Sequence, residues 1–153
     1  MDTHKHGESQ RVIGIDFGLR RIGLAIGDTE SGLATPMGMI ESQTDMQAAE
    51  IISQMVAREK VEIIVCGVPF NDDGTAGPQA RRTMAFIDFL QRHTGRSVVV
   101  INEFLTTHDA ESLLAGHFTA AQKKRRIDAV AAARILQSYL DQNRPSAESQ
   151  DDF

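Results

Sequence analysis

Arg11-Val-Ile-Gly-Ile-Asp-Phe-Gly-Leu-Arg-Arg-Ile-Gly-Leu-Ala-Ile26 is the stretch that decides how this chain folds. Its first six residues form a short apolar run in which Val12, Gly14 and Asp16 share one side of a period-2 pattern, so they predict a strand ending in a carboxylate. Gly18 interrupts the run and Arg21 to Ile26 resume it, which predicts a hairpin. Residues 33–40 extend the hairpin to a third strand, and Pro36 marks that strand as an edge or a bulge because proline cannot donate to a ladder.

Beyond this meander the pattern changes to alternation. Thr44-Asp-Met-Gln47 has the form of a capping box, and Ala48, Ile52, Met55 and Val56 follow at helical spacing. Val61 to Val68 is an almost unbroken apolar run rich in β-branched residues, as expected for a central strand covered on both faces. Pro69-Phe-Asn-Asp-Asp-Gly-Thr75 reads as turn chemistry, and Pro78 suits the first position of a helix with Ala80, Met84, Ile87 and Leu90 on one stripe, ending near Gly95. Val98 to Ile101 is a further buried strand that runs directly into Asn102 and Glu103. A short helix over 107–115 and a final helix over 127–140 complete the reading, with the basic run Lys123-Lys-Arg-Arg126 between them. Three strands followed by βα alternation predict an α/β fold: a mixed five-stranded sheet with helices on both faces.

The 153 residues suffice for one domain, placed at 11–141 between flexible tails at 1–10 and 142–153. Hydrophobic residues at 41% exclude a disordered chain. A single cysteine, Cys66, excludes a disulfide framework and a cysteine-built zinc site within one chain, and fits a reducing cytoplasm. No apolar stretch approaches a membrane span and the N-terminus lacks a signal-peptide core, so the expectation is a cytoplasmic protein with no membrane partner. Sixteen Lys and Arg against 21 Asp and Glu give a net charge of −5. The two tails account for most of the imbalance and leave 14 bases against 16 acids in 11–141, so bulk acidity disfavours only nonspecific binding to free nucleic acid.

Three carboxylates stand out by position. Asp16 ends the first strand and Glu103 follows the last, where open α/β sheets place their ligand crevice, and the two would meet if those strands are neighbours. Asp128 shares the stripe of Ala132, Ile135, Leu136 and Tyr139, which should face the sheet. Taken singly, Asp128 has a second reading as a partner for a helix N-terminal dipole. As a set, the three acids would repel one another unless a dication neutralised them, and oxygen-only ligation with open positions suits Mg2+ or Mn2+ and metal-assisted phosphodiester hydrolysis.

Gly18 frees the turn beyond Asp16 to approach a phosphate that Arg20 or Arg21 could clamp; the alternative is a hairpin with a solvated basic tip. Lys124, Arg125 and Arg126 could position a strand over the acids, or form a solvated loop. The glycine spacing excludes a dinucleotide fingerprint and a Walker A loop. All five histidines, His4, His6, His93, His108 and His117, lack metal-ligand spacing and read as surface or structural.

Four separated blocks carry a resemblance: Gly14-Ile-Asp-Phe-Gly-Leu-Arg-Arg-Ile-Gly-Leu-Ala25; Gly67-Val-Pro69 with Asp73-Gly74; Glu103 with Leu105-Thr-Thr107; and Asp128 with Ala131-Ala132 and Ile135-Leu136. Together they resemble the YqgF/RuvX family of Holliday junction resolvases, now regarded as pre-16S rRNA nucleases, within the ribonuclease H-like superfamily. The resemblance implies a ribonuclease H-like fold, magnesium-dependent endonuclease chemistry and 5′-end maturation of precursor 16S rRNA within ribosomal particles. It also implies that Asp16, Glu103 and Asp128 are the family's acidic triad, serving as catalytic and metal-binding residues. Gly18, Arg20, Arg21, Lys124, Arg125 and Arg126 remain the substrate-binding candidates of the residue reading.

Where the family usually has Asp-Glu-Arg, this chain has Asn102-Glu103-Phe104. Loss of the arginine weakens phosphate contact and leaves Arg20 and Arg126 to compensate, while Asn102 removes a supporting carboxylate. The alternatives are a DNA endonuclease of branched junctions, since the metal chemistry does not distinguish the sugars, and an RNA-binding or ribosome-assembly factor with weak catalysis. An actin-like ATP-binding module would need two such domains, more than 153 residues supply. Monomer and homodimer are both compatible with the sequence.

Overall fold

The computed structural model describes residues 9–41, 44–103 and 120–143, with side chains of the last stretch described from residue 127 onward. Its elements run β1 (Arg11–Asp16), β2 (Arg21–Asp28), β3 (Ala34–Glu41), α1 (Asp45–Glu59), β4 (Val61–Val68), α2 (Pro78–Thr94), β5 (Val98–Asn102) and α3 (Ala120–Gln142). The sheet order is β3-β2-β1-β4-β5, with β1, β2 and β3 antiparallel and β1, β4 and β5 parallel. The mixed five-stranded sheet with helices on both faces is therefore as expected. The short helix expected over 107–115 and most of both tails lie outside the described residues.

Pro36 realises both expectations placed on it. β3 is an edge strand, and the ladder shifts where Leu24 faces Gly38 and Ala25 faces Pro36, so Met37 is the extra residue of a bulge.

Alternation along the strands divides the interior into two cores. Ile13 and Ile15 point toward α1 and α2, joining Ile52, Ile64, Phe86 and Leu90 in one apolar cluster. Val12 points the other way, joining Ala25, Val65 and Ile101 beneath Ala132, Ile135 and Leu136 of α3. Burying one side chain the size of Phe86 contributes about 1.5–3 kcal/mol, and Phe86 is fully buried.

The first helix starts where its capping box requires, because Gln47 N donates to Thr44 Oγ1 at 3.0 Å. Pro78 opens α2 and Gly95, at φ 73°, closes it in the left-handed conformation. The buried face of α2 is Ala80, Thr83, Phe86, Ile87 and Leu90, which corrects the expected stripe: Met84 is 42% exposed. At 100° per residue the face centred on Phe86 and Leu90 takes in Thr83, whose hydroxyl is satisfied by donating to Gln79 O.

Another correction concerns α3, which begins at Ala120 and not near 127, so the run Lys123 to Arg126 is helical backbone. Lysine and arginine are good helix formers, and a charge run without apolar periodicity gives no sign in the sequence that the helix already includes it.

Helix α3 contacts all five strands. It comes so close because the sheet is bare beneath it. A Cβ on Gly14 would sit 2.7 Å from Leu136 Cβ, and one on Gly23 would sit 1.9 Å from the Asp128 carbonyl oxygen. Those two glycines have no room for a side chain, and they bring the backbone of Asp128 onto the β1–β2 pair.

Candidate active site

Asp16 is the last residue of β1 and lies on the α3 side of the sheet, in register with Gly23. Glu103 directly follows β5, two residues beyond Ile101 of the α3-side core, and so returns to that same side. The strands β1 and β5 are not neighbours, because β4 lies between them. Two strand spacings put the two backbones roughly 10 Å apart. Gly67 of β4 makes the gap passable: it carries no side chain, and a Cβ there would lie 3.5 Å from Glu103 Oε1. Glu103 thus reaches over β4 toward Asp16.

The electrostatics record this convergence. The Asp16 carboxyl is pushed from its ordinary 3.8 up to about 7, first by burial, then by the charges of Glu103 and Asp128, with Arg134 acting in the opposite sense. Burial also raises Glu103. Cys66 lies buried on the other side of β4, its thiol pushed up by burial and by the same two strand carboxylates, and its Sγ donates to Gly67 O at 3.6 Å. It is an inert core residue at this position.

Asp128 reaches the site from α3. It stands eight residues beyond Ala120, about two turns into the helix, so the reading as an N-terminal dipole partner is excluded. Its partner is Arg21, whose Nε donates to Asp128 Oδ2 at 2.7 Å. Arg21 is therefore not a free phosphate clamp. Gly18 is required by its own turn, since a Cβ there would meet Arg21 O at 2.6 Å. Arg20 is exposed and has no ion pair with any described residue.

The side chains of Lys124, Arg125 and Arg126 lie outside the described residues, as do Phe104 and His4, His6, His108 and His117. His93 Nε2 pairs with Glu50 Oε1 at 3.1 Å, a surface role. The turn after β4 is held by its own atoms: Asn71 N donates to Thr75 O, and Thr75 Oγ1 donates to Asp73 Oδ1. Residue reading missed Arg134, which faces Asp16 electrostatically from α3 and lies in none of the quoted motifs. It also missed Gly67 as the spacer between the acids; its being the one glycine in the apolar run Val61 to Val68 was the available signal.

A hard divalent cation fits this set by its chemistry. Three carboxylates supply oxygen donors only, and Asp16 is raised first by burial and then by the charges of the other two, with Arg134 opposing. Among the described residues no three such side chains are drawn together as a cage, and Asp128 is engaged by Arg21.

A family model described as RuvX, Holliday junction resolvase, matches residues 10–142. A curated relative from Halothermothrix orenii, named as a candidate pre-16S rRNA nuclease, is 42% identical over 132 residues, which are 85% of this chain and 94% of that one. Relatives of the same name from Agrobacterium fabrum and Chloroflexus aggregans are 37% and 38% identical, covering 87% and 88% of this chain and 84% and 96% of their own. Among solved structures, RuvC of Thermus thermophilus in complex with a Holliday junction substrate is similar at TM-score 0.57 and 15% identity, over 88% of this chain and 95% of that one. The fowlpox virus resolvase in complex with Holliday junction DNA is similar at TM-score 0.53 and 11% identity, over 88% and 99%. At those identities the structures speak to the fold alone.

Proposed function

We propose a function from the premise that this chain belongs to the RuvX family: it is an endonuclease that hydrolyses phosphodiester bonds with a divalent cation, Mg2+ or Mn2+, held by Asp16, Glu103 and Asp128. Its substrate is precursor 16S rRNA, as the names of the relatives suggest, and we infer that the cut matures the 5′ end within ribosomal particles. The observation that carries this reading is that Asp16, Glu103 and Asp128 all come to the α3 face of the sheet, where burial foremost and then the charges of the other two push the Asp16 carboxyl up to about 7.

A bound cation would supply Lewis-acid stabilisation of the phosphoryl oxygens and a more acidic water. The chain's own residues divide the remaining work. The backbone of β1 fixes Asp16, and the bare Gly67 position lets Glu103 reach it. Arg134 limits the repulsion that Glu103 and Asp128 impose on Asp16. Arg20, exposed at the hairpin turn, is placed to meet a phosphate of the incoming strand. Arg21 holds Asp128 in place before substrate arrives and is the cation that Asp128 must leave.

The test incubates the protein with precursor 16S rRNA in ribosomal particles and, separately, with a four-way DNA junction, each with and without magnesium. The expected result is magnesium-dependent cleavage of the RNA, abolished by Asp16→Asn and by Asp128→Asn with the fold intact. Full activity in both variants overturns the triad. Cleavage of the DNA junction alone favours the resolvase reading that the family description supports.

A further inference from the structure

On the opposite side of β1 from Asp16 lies a cleft of about 430 Å3, within the size range of small-ligand pockets. Phe17 and Leu19 of the hairpin turn form one wall, and Pro78, Gln79, Arg82 and Thr83 at the start of α2 form the other. We propose that this cleft receives one unstacked base of a single-stranded RNA whose adjoining phosphate lies at Asp16. The proposal rests on the nuclease reading and adds a binding site to it.

The cleft continues the candidate active site. Phe17 follows Asp16 directly, and the two side chains leave the same strand end on opposite faces, so a strand crossing that end meets the carboxylates and the cleft in succession. Its walls suit a flat ring. Phe17 is locked by stacking on Phe86, with ring centroids 4.5 Å apart. Arg82 lies over Phe17 with its Cζ 5.1 Å from the ring centroid, and its two terminal nitrogens donate to Asp45 Oδ1 and Oδ2 at 2.7 and 3.0 Å. With its charge engaged by Asp45, Arg82 offers a fixed plane more than a phosphate clamp. Phe86 and Arg82 take the faces of Phe17, so the plane left to a base is that of the Arg82 guanidinium, and single-stranded bases are held on such planes.

Leu19 is 74% exposed, so the apolar core does not account for a leucine at this turn. The cleft does, because a base inserted there would cover it. The edge of the base has a partner as well: Gln79 is exposed at the rim, and its amide both donates and accepts. Beside Leu19, Arg20 meets the backbone charge that a nucleotide brings and an apolar small molecule does not. The combination of flat apolar walls, one polar rim group and a neighbouring cation selects a nucleotide over a lipid or an apolar peptide.

The chain has no tryptophan, so 2-aminopurine fluorescence can be read without protein background. A single-stranded RNA spanning the 5′ end of 16S rRNA is prepared with 2-aminopurine stepped through successive positions and mixed with the Asp128→Asn protein in magnesium, so that the strand stays whole. The expected result is a severalfold rise in emission at one position, lost in the Leu19→Ala, Asp128→Asn double variant. An abasic nucleotide at that position should weaken binding about tenfold. In cleavage by otherwise wild-type protein, Leu19→Ala should raise KM about tenfold and leave kcat within twofold. Bound RNA with no brightened base, or a rise that survives Leu19→Ala, overturns the cleft. A Leu19-dependent dimer in sedimentation with no emission change overturns it in favour of a second copy. The emission readout needs no cleavage: a protein that brightens one base without cutting keeps the cleft and loses the nuclease reading, and one that cuts without brightening loses the cleft alone.

Discussion

Arg21 Nε donates to Asp128 Oδ2 at 2.7 Å, so a cation from the hairpin holds the carboxylate that α3 brings to the sheet. Both side chains are partly exposed, at 32% and 22%, which limits the pair to about 1 kcal/mol or less. A cation seeking Asp128 competes against that contact. Arg21→Gln should therefore lower the half-saturating magnesium concentration by up to about fivefold in a calorimetric titration. An unchanged or weakened magnesium affinity would show that Arg21 does not compete for this ligand.

Asp16 makes the fold sensitive to pH. Below pH 3.8 its carboxyl is protonated in folded and unfolded chains alike; between there and about 7 the unfolded chain ionises while the folded one retains its proton. Stability should fall across that window and level off above it, by about 4 kcal/mol at 1.4 kcal/mol per pKa unit. Asp16→Asn should flatten the profile and melt higher than wild type at pH 8. Magnesium should raise the wild-type melting temperature at pH 8 and leave that of Asp16→Asn nearly unchanged, as read by differential scanning calorimetry.

Gly23 is a steric requirement of helix docking. A Cβ at this position would lie 1.9 Å from the Asp128 carbonyl oxygen, and backbone cannot yield as a side chain can. Gly23→Ala should cost about 3 kcal/mol in urea unfolding and displace Asp128 enough to reduce cleavage at least tenfold. Gly77→Ala, whose new Cβ would meet nothing nearer than 3.5 Å, should stay within about 1 kcal/mol of wild type.

Cys66 should be silent toward thiol reagents. It is fully buried, and burial together with Asp16 and Glu103 pushes its thiol far above the usual range. Reaction with an aromatic disulfide at pH 8 should be at least about a thousandfold slower in the native protein than in denaturant. Rapid native labelling would show that β4 opens at the site.

Local patterns sufficed for the strands and for two carboxylates, because period-2 alternation and the carboxyl ends of strands are properties of contiguous residues. Asp128 was legible through its stripe with Ala132 and Leu136, which does lie against the sheet. The start of α3 was not legible, since Lys123 to Arg126 carry helix propensity without apolar spacing. Met84 misled for a related reason: its hydrophobicity places it in the core by composition, while the angle of α2 gives the buried position to Thr83. The Arg21–Asp128 pair and the opposing influence of Arg134 on Asp16 join residues far apart in the chain, and no spacing rule connects them.

Helix α3 is the last of the described elements to be synthesised, and it brings Asp128 to the strands. A nascent chain extended one residue past β5 already contains Asp16 and Glu103, yet lacks the third acid until this helix emerges and settles over Gly14 and Gly23. Completion of the proposed triad therefore waits on this helix, and a product terminated before it would carry the two strand-end acids without their helical partner.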